Sequence, residues 1–334
     1  MCYAPVSQPL TDSAIAPLKL QAYQQINFGK IALTPQQQES LAGLNRQLIP
    51  FCQSLPPALQ TGAIFAIQQY FTGFQLGNLQ QFFNKFYAPS WTLLGWMGSE
   101  AISAAELEQA IHLQGMAYFL HMLDDHLADG QIPISHLMLQ LRTQAWMRFI
   151  QGAEQLVLSE SCQESLIYGW INRYFSGMQG AEPVDSLAAY CDRFRQQLST
   201  TLVLPMILAD RTGYNADDVQ EAYEAFCIAW RLLDDLRDCQ EDALAGELSG
   251  IYYLLPLEQR QAWLDCQGLE PAAAQWQQLS ECLEFSGVLP AAIREILAWL
   301  AIAQAAAERA NLPGYAGELR QLAGPLVELL EMES

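Results

Sequence analysis

The spacing of hydrophobic residues follows the period of an α-helix along nearly the whole chain after residue 35. Apolar side chains recur every three or four residues, and no run of alternating β-branched residues bounded by turn residues predicts a strand. Residues 1–35 are polar and weakly patterned, with prolines at 5, 9 and 17, and predict an irregular surface segment. Residues 36–332 contain no repeat, low-complexity tract or flexible linker. The sequence therefore predicts one all-α domain, a helical bundle, after an irregular N-terminal segment.

Capping signals mark two of the helix starts. Thr34-Pro35 followed by Gln38 places proline at the first helical position and an amide three residues later. Ser103 followed by Glu106 is a capping box. The pattern predicts helices over 35–54, 57–74, 79–86, 103–129, 134–158, 162–179, 185–209, 215–243, 256–264, 271–286, 290–310 and 315–332.

The amino-acid composition and the net charge argue against several classes of function. The 334 residues are 51% hydrophobic, which is enough for a large core, and carry a formal net charge of −20. That charge argues against nucleic acid as a partner and leaves no basic patch for anionic lipid. The eight cysteines form no CxxC pair, and we find neither a signal peptide nor an apolar run long enough to span a membrane. We therefore expect a cytoplasmic protein without a transmembrane segment.

Two clusters of aspartates lie on the predicted helices 103–129 and 215–243. The candidate metal ligands are Asp124, Asp125 and Asp129 in the first cluster and Asp234, Asp238 and Asp242 in the second. Carboxylates four residues apart share one helix face and repel each other unless a cation lies between them. Both clusters follow apolar stretches, and buried aspartates are rare unless they are paired or metal-bound. Mg²⁺ bridges carboxylates to substrate phosphates, so the clusters predict a magnesium and diphosphate site, with Arg237 as a diphosphate-binding cation.

The second cluster carries a resemblance to a known family. Residues 234–243 read Asp-Asp-Leu-Arg-Asp-Cys-Gln-Glu-Asp-Ala, and Tyr-Tyr-Leu-Leu-Pro follows at 252–256. This resembles the second motif of the squalene/phytoene synthase family, Asn-x-x-Arg-Asp-x-x-Glu-Asp-Ala, which soon reaches Tyr-Leu-Pro. The Asp125-x-x-x-Asp129 spacing resembles the first motif of that family, and Tyr190-Cys191 resembles its Tyr-Cys pair. The resemblance covers residues 105–260, after an N-terminal helical extension that reaches to about residue 100.

The resemblance implies a class I isoprenoid synthase, an all-helical bundle with a central active-site cavity. Mg²⁺, taken as three ions held by the two clusters, would grip the diphosphate of a prenyl substrate. Departure of the diphosphate would leave an allylic carbocation in an apolar cavity. By this analogy Arg237 binds the diphosphate and Tyr190 faces the reacting carbons.

Departures from the family pattern favour a reaction that uses one prenyl diphosphate and a separate acceptor molecule. Asp234 stands where the family motif has asparagine, and Phe-Arg-Gln-Gln-Leu-Ser at 194–199 replaces a stretch of small residues. Arg193 and Arg195 would bind the diphosphate or orient a polar small-molecule acceptor. We therefore expect a prenyltransferase rather than a head-to-head coupling enzyme.

Two alternatives stay open at this stage. A terpene cyclase fits the spacing of the second cluster almost as well, and Tyr315 near the C-terminus would then bind diphosphate as part of a lid. A non-catalytic relative would bind a lipid or a partner in the same cavity. The prenyl chain length, the acceptor and the oligomeric state are left open by the sequence.

Overall fold

Helices and their connecting turns make up the structure, a computed structural model that describes residues 18–72, 78–98, 100–128, 130, 132–180, 184–270 and 274–332. None of these residues lies in a β-strand, which confirms the predicted all-α class. The α-helices are α1 Leu18–Gln24, α2 Pro35–Arg46, α3 Leu48–Gln53, α4 Pro57–Thr72, α5 Pro89–Trp96, α6 Ala104–Ala128, α7 His136–Leu156, α8 Glu160–Gln163, α9 Gly169–Gln179, α10 Leu187–Gln197, α11 Val203–Thr212, α12 Ala216–Arg237, α13 Cys239–Ala245, α14 Gly250–Leu254, α15 Arg260–Leu264, α16 Ala274–Phe285, α17 Val288–Arg309, α18 Pro313–Leu322 and α19 Gly324–Glu331. Short 3₁₀-helices cover Asn78–Lys85, Ser199–Leu202 and Leu257–Gln259, and a π-helix covers Glu164–Tyr168.

Both predicted helix starts carry their capping bonds. The Ser103 and Glu106 side chains each accept the backbone N–H of the other residue, at 3.3 and 2.9 Å. Thr34 forms the same reciprocal pair with Gln37, at 3.2 and 2.9 Å. The capping amide is therefore Gln37 and not Gln38, whose side chain donates to the Leu33 carbonyl instead.

The predicted helix 185–209 is divided by a 3₁₀ turn at Ser199–Leu202. Pro205 has no N–H to donate to the Thr201 carbonyl one turn earlier. That carbonyl instead accepts a hydrogen bond from the Gln114 side chain at 2.9 Å. The missing N–H of Pro205 and the Gln114 donor on α6 together explain why the helix is interrupted at this turn. The hydrophobic periodicity of the sequence continues through the interruption.

The N-terminal segment contains a helix where the sequence predicts irregular structure. α1 packs against α12 and α16, and its Leu20 and Tyr23 side chains are fully buried. Seven residues give too short a hydrophobic pattern to identify a helix, so packing decides its structure.

Helices α12 and α17 pack side by side and form the centre of the bundle. Around α12 lie α10, α11 and α14, and α6 packs against α7, α2 and α5. Within the described part of the chain, α17 is the one helix long and apolar enough to cross a membrane by length and composition. Its Leu289, Ile293 and Ile296 side chains are buried in the hydrophobic core.

Candidate active site

Helices α6 and α12, which carry the two clusters, are joined by hydrogen bonds between their side chains. The hydroxyl groups of Tyr118 and Tyr223 are hydrogen-bonded to each other, and the Gln114 amide donates to Tyr223 at 3.1 Å. About two helical turns separate Tyr118 from Asp125, and about three separate Tyr223 from Asp234. Each helix therefore continues from this junction to its own aspartate cluster.

Arg231 brings the two clusters into one electrostatic environment. Burial raises the pKa of Asp234 and Asp242, and the positive charge of Arg231 opposes that rise. For Asp125, the opposing positive charges outweigh burial, and Arg231 is among the charges that hold its pKa below the ordinary value. The guanidinium therefore lies near carboxylates from both α6 and α12. We call Arg231 and the carboxylates Asp125, Asp234, Asp235, Asp238 and Asp242 the acidic site.

The Arg231 guanidinium group contacts polar side chains at its edge and aromatic rings at its face. Its Nε atom forms an ion pair with Asp235 at 2.8 Å and donates a hydrogen bond to the Tyr190 hydroxyl at 2.6 Å. The rings of Tyr190 and Phe194 lie 5.8 and 5.7 Å from its central carbon, within cation–π distance. Tyr190 in turn donates to Asp235 at 2.8 Å. The predicted residue Tyr190 therefore contacts an ion pair.

The second cluster has more negative charge than its surroundings neutralise. Burial raises the pKa of Asp238 to about 7, and the neighbouring Asp234 and Glu241 add to the rise. Burial likewise raises the pKa of Asp242 to about 8. The buried Oδ2 atom of Asp242 has no hydrogen-bond partner in the described part of the chain. These carboxylates match what a divalent cation needs, because such a cation would supply the charge and the ligand bonds that they lack.

The first cluster is only partly visible in the structure. Asp125 is half-buried, and Asp129 lies outside the described residues. Among the residues that are described, no group of three His, Cys, Asp or Glu side chains converges closely enough to hold a metal ion. By charge and ligand type, the residues that could hold Mg²⁺ are Asp125 on α6, Asp234 on α12, Asp238 directly after α12 and Asp242 on α13.

Asp124 is bound by protein groups on two other helices. Both of its oxygens accept hydrogen bonds from Arg142 on α7, one of them at 2.9 Å, and the Tyr174 hydroxyl on α9 donates to it at 2.9 Å. With both carboxylate oxygens engaged, Asp124 connects α6 to its neighbours. A role for Asp124 as a metal ligand therefore stays a prediction from the sequence.

Arg237 lies where the sequence predicts a diphosphate-binding cation. Its charge opposes the burial-driven rise in the pKa of Tyr87 and of Asp238. Its Nε atom is buried and has no hydrogen-bond partner among the described residues. An arginine N–H without a partner beside carboxylates is available to a phosphate oxygen.

Arg195 points away from the acidic site. Its guanidinium pairs with Asp192, approaches Glu224 at 3.8 Å and lies 5.1 Å from the Trp299 ring. These side chains line a separate cavity of about 570 Å³ between α9, α10, α12 and α17. Arg195 follows Tyr190 by five residues, and at about 100° per residue the two side chains leave α10 in different directions.

The other two predicted diphosphate ligands are also held elsewhere. Arg193 donates to the Gly180 carbonyl at 3.4 Å, at the end of α9. Tyr315 is fully buried in the core and donates to the Pro89 carbonyl at 3.1 Å. Because a lid residue must reach the surface, Tyr315 does not have the position expected of one.

Comparison with solved structures identifies the fold. Geranylgeranyl pyrophosphate synthase from Corynebacterium glutamicum matches with a TM-score of 0.68 and 16% identity, over 93% of this chain and 98% of that one. A polyprenyl synthase from Caulobacter crescentus, solved with calcium and isoprenyl diphosphate, matches with a TM-score of 0.59 and 14% identity over 94% and 98%. Octaprenyl pyrophosphate synthase from Helicobacter pylori matches with a TM-score of 0.60 and 11% identity over 86% and 99%. The chain has the class I isoprenoid synthase fold.

The match refines the family resemblance found in the sequence. These synthases make polyprenyl diphosphates by name, so the resemblance to squalene and phytoene synthases holds for the isoprenoid synthase fold and not for that family specifically. No protein-family profile and no curated protein matches the sequence.

Two residues of the acidic site, Arg231 and Asp235, and the neighbouring Gly250 escaped the sequence argument. Arg231 and Asp235 form an ion pair four residues apart on α12, a spacing that sequence reasoning could have recognised. Gly250 begins α14, and its N–H donates to Asp235 at 2.8 Å. A Cβ atom at this position would lie 2.7 Å from the Asp235 carboxylate, so only glycine lets the backbone approach it.

Proposed function

We propose that this chain is a Mg²⁺-dependent prenyltransferase that binds a prenyl diphosphate at the acidic site and transfers the prenyl group to an acceptor. The observation that carries the proposal is the charge of Arg231, which pairs with Asp235 on α12 and, acting against burial, lowers the pKa values of Asp125 on α6 and of Asp234 on α12. The Caulobacter polyprenyl synthase of the same fold was solved with a divalent cation and isoprenyl diphosphate, the ligand classes that such a site would take.

Asp125, Asp234, Asp238 and Asp242 would hold the metal, and Asp129 stays a predicted ligand. Mg²⁺, when bound, neutralises charge that develops on the departing diphosphate. Arg237 would donate hydrogen bonds to the diphosphate oxygens. The number of metal ions, taken as three from the family resemblance, remains part of the proposal.

A cluster of aromatic side chains includes Tyr118, which lies at the junction of α6 and α12, and Trp230, which precedes Arg231 on α12. Phe86 lies between Tyr118 and Trp230, with ring centroids 5.0 and 5.9 Å away, and Trp230 also meets Tyr87 at 5.5 Å. Such rings exclude water and stabilise an allylic cation through their π faces. This cluster suits a prenyl chain, and it equally favours the second candidate, a terpene cyclase that acts on one prenyl diphosphate.

The test is pyrophosphate release from dimethylallyl, geranyl, farnesyl and geranylgeranyl diphosphates, each with and without isopentenyl diphosphate as acceptor. Every reaction is run with Mg²⁺ and with EDTA, and the products are extracted and identified. We expect Mg²⁺-dependent release together with a longer prenyl product when the acceptor is present. A cyclic hydrocarbon or alcohol formed without acceptor would establish the cyclase instead. Absence of release from all substrates would favour a non-catalytic relative.

A matched pair of variants ties the activity to the acidic site. Asp238→Asn should lower turnover by at least about 100-fold, because it removes a metal ligand while keeping the size of the side chain. Asp210→Asn, an exposed aspartate at the end of α11, serves as the control and should retain full turnover. Equal activity of the two variants would remove Asp238 from the proposed site.

A further inference from the structure

We propose that Tyr253 and Arg260 are positioning residues, which lie outside the acidic site and act on it through Tyr190. Tyr190 in turn holds Asp235, at the end of α12 that carries proposed metal ligands. The inference rests on the proposed function, because those ligands belong to it. It gives a role to the Tyr-Tyr-Leu-Leu-Pro sequence at 252–256, which the proposed function does not use.

Asp235 is held by groups on two other helices. The Tyr190 hydroxyl on α10 lies 3.0 and 2.8 Å from its two oxygens, and the Gly250 N–H on α14 donates to one of them at 2.8 Å. Asp234 precedes Asp235 by one residue and Asp238 follows it by three, and the Asp238 N–H donates to the Asp234 carbonyl at 2.9 Å. A shift of the Asp235 side chain is therefore expected to move the helical turn from which those two carboxylates extend.

Tyr253 on α14 contacts α10 and the chain that leads into it. Its ring centroid lies 5.7 Å from that of Tyr190, at an interplanar angle of 36°. Its hydroxyl donates to the Val184 carbonyl at 3.1 Å, three residues before α10 begins at Leu187. A packed aromatic pair restricts how each ring can turn. Tyr253 therefore fixes both the Tyr190 ring and the entry to its helix.

Arg260 holds Tyr253 in place at the end of α14. Its Nη2 atom donates to the Tyr253 carbonyl at 2.8 Å, and its Nε atom donates to the Leu255 carbonyl at 3.2 Å. Its central carbon lies 5.1 Å from the Tyr252 ring and 5.7 Å from the Tyr253 ring. Because a helix of five residues is not stable by itself, contacts of this kind decide its structure.

Mn²⁺ binding, followed by the loss of the free-ion electron paramagnetic resonance signal, tests whether Tyr253 acts through Tyr190. Tyr253→Leu and Tyr190→Phe should each weaken binding by at least about threefold, because support for groups beside the metal ligands is lost. The double variant should bind within about twofold of the weaker single variant, because both changes remove the same support. Unchanged binding by Tyr253→Leu, or losses that multiply in the double variant, would overturn the proposal.

Two further variants separate positioning from a loss of stability. Tyr253→Phe keeps the ring beside Tyr190 and should bind Mn²⁺ within about twofold of the wild type. Tyr252→Leu is the matched control, because Tyr252 also lies on α14 and packs against Arg260 and Trp263. It should lower the melting temperature as Tyr253→Leu does, and it should leave Mn²⁺ binding unchanged. An equal loss of Mn²⁺ affinity in Tyr252→Leu would contradict the role of Tyr253.

Arg260→Gln keeps both tyrosines and provides the test if Tyr253→Leu does not fold. It removes the donors to the Tyr253 and Leu255 carbonyls and should weaken Mn²⁺ binding by at least about twofold, with no further loss when Tyr190→Phe is present. Full Mn²⁺ affinity in Arg260→Gln would refute the role of Arg260. A wild type that binds no Mn²⁺ would refute the metal site of the proposed function and the positioning role with it. Normal wild-type binding with unaffected variants would refute the positioning role alone.

Discussion

At the scale of single residues, the buried carboxylates fall into two groups. Asp124 and Asp235 are each held by an arginine, Arg142 and Arg231 respectively, and by a tyrosine hydroxyl. Asp238 and Asp242 have strongly raised pKa values because they are buried among other carboxylates. Removing a charge from water is unfavourable without a partner, so the second group is the one that needs a cation.

Gly250 offers a test of the Arg231–Asp235 unit that leaves both of these residues in place. In Gly250→Ala the new Cβ atom would lie 2.5 Å from Leu232 and 2.7 Å from the Asp235 carboxylate, so Asp235 must shift. We expect a loss of about 1–3 kcal/mol in the free energy of unfolding, typical of overpacking, measured by urea denaturation.

The control for this change is Gly317→Ala. Gly317 lies within α18, and no atom stands within 4 Å of the position that its Cβ would occupy. Alanine there should be neutral or stabilise the protein by up to about 1 kcal/mol, because it favours the helix. A Gly250→Ala protein as stable as Gly317→Ala would show that the close approach at Asp235 is not required.

At the scale of helices, the second cluster spans a junction that the sequence does not predict. α12 ends at Arg237 and α13 begins at Cys239, so Asp238 stands between two helices. The Asp238 N–H still donates to the Asp234 carbonyl, and the Asp242 N–H to the Asp238 carbonyl, each at 2.9 Å. The backbone therefore keeps the one-turn spacing of these aspartates through the junction, although the helix is not continuous.

Another helix contact depends on a buried acid that accepts hydrogen bonds from neutral side chains. Glu318 on α18 accepts hydrogen bonds from Gln37 on α2 at 2.5 Å, from Trp96 on α5 at 2.9 Å and from Thr92 on α5. Burial raises its pKa. Glu318→Ala should lower the free energy of unfolding by about 2–4 kcal/mol, because buried donors lose their acceptor.

Glu318→Gln should keep most of this stability, within about 1 kcal/mol of the wild type. Its amide oxygen can accept from Gln37 and Trp96, while its NH₂ group can donate to the Thr92 hydroxyl, which rotates to accept. Chemical denaturation of both variants checks the pair. A glutamine variant as unstable as the alanine variant would mean that the ionised carboxylate itself is required.

At the scale of the whole molecule, the net charge of −20 is partly concentrated in the acidic site. Asp238 and Asp242 hold protons in the folded protein up to pKa values of about 7 and 8, well above their ordinary range. Such groups stabilise the folded state at low pH, and this contribution is lost as the pH rises through the folded pKa values. In EDTA, the melting temperature should therefore fall as the pH rises from about 5 to about 8, and it should level off above the folded pKa values.

Mg²⁺ should reverse this fall, because it binds the ionised carboxylates of the folded state. Thermal denaturation with EDTA and with Mg²⁺ across the same pH range makes the comparison. In EDTA, Asp238→Asn should show a shallower decline than the wild type, and Asp210→Asn an unchanged one. A melting temperature that rises with pH in EDTA would contradict the raised pKa values.

The sequence by itself determined the features that depend on residues close together in the chain. Helical periodicity, the Ser103–Glu106 capping box and the one-turn spacing of Asp234, Asp238 and Asp242 are all local, and backbone geometry makes them visible without a fold. The position of Arg237 among those aspartates was predictable for the same reason. The resemblance of the motifs over residues 105–260 then predicted the isoprenoid synthase fold.

Only the tertiary structure decided which charged side chains meet. Asp124 receives Arg142 from the next long helix, Tyr190 reaches Asp235 across 45 residues, and Arg195 turns toward a separate cavity. These contacts depend on how helices pack, and no periodicity in one segment encodes the direction of a side chain in another. The sequence therefore located the carboxylates, and packing determined which of them are paired with arginine.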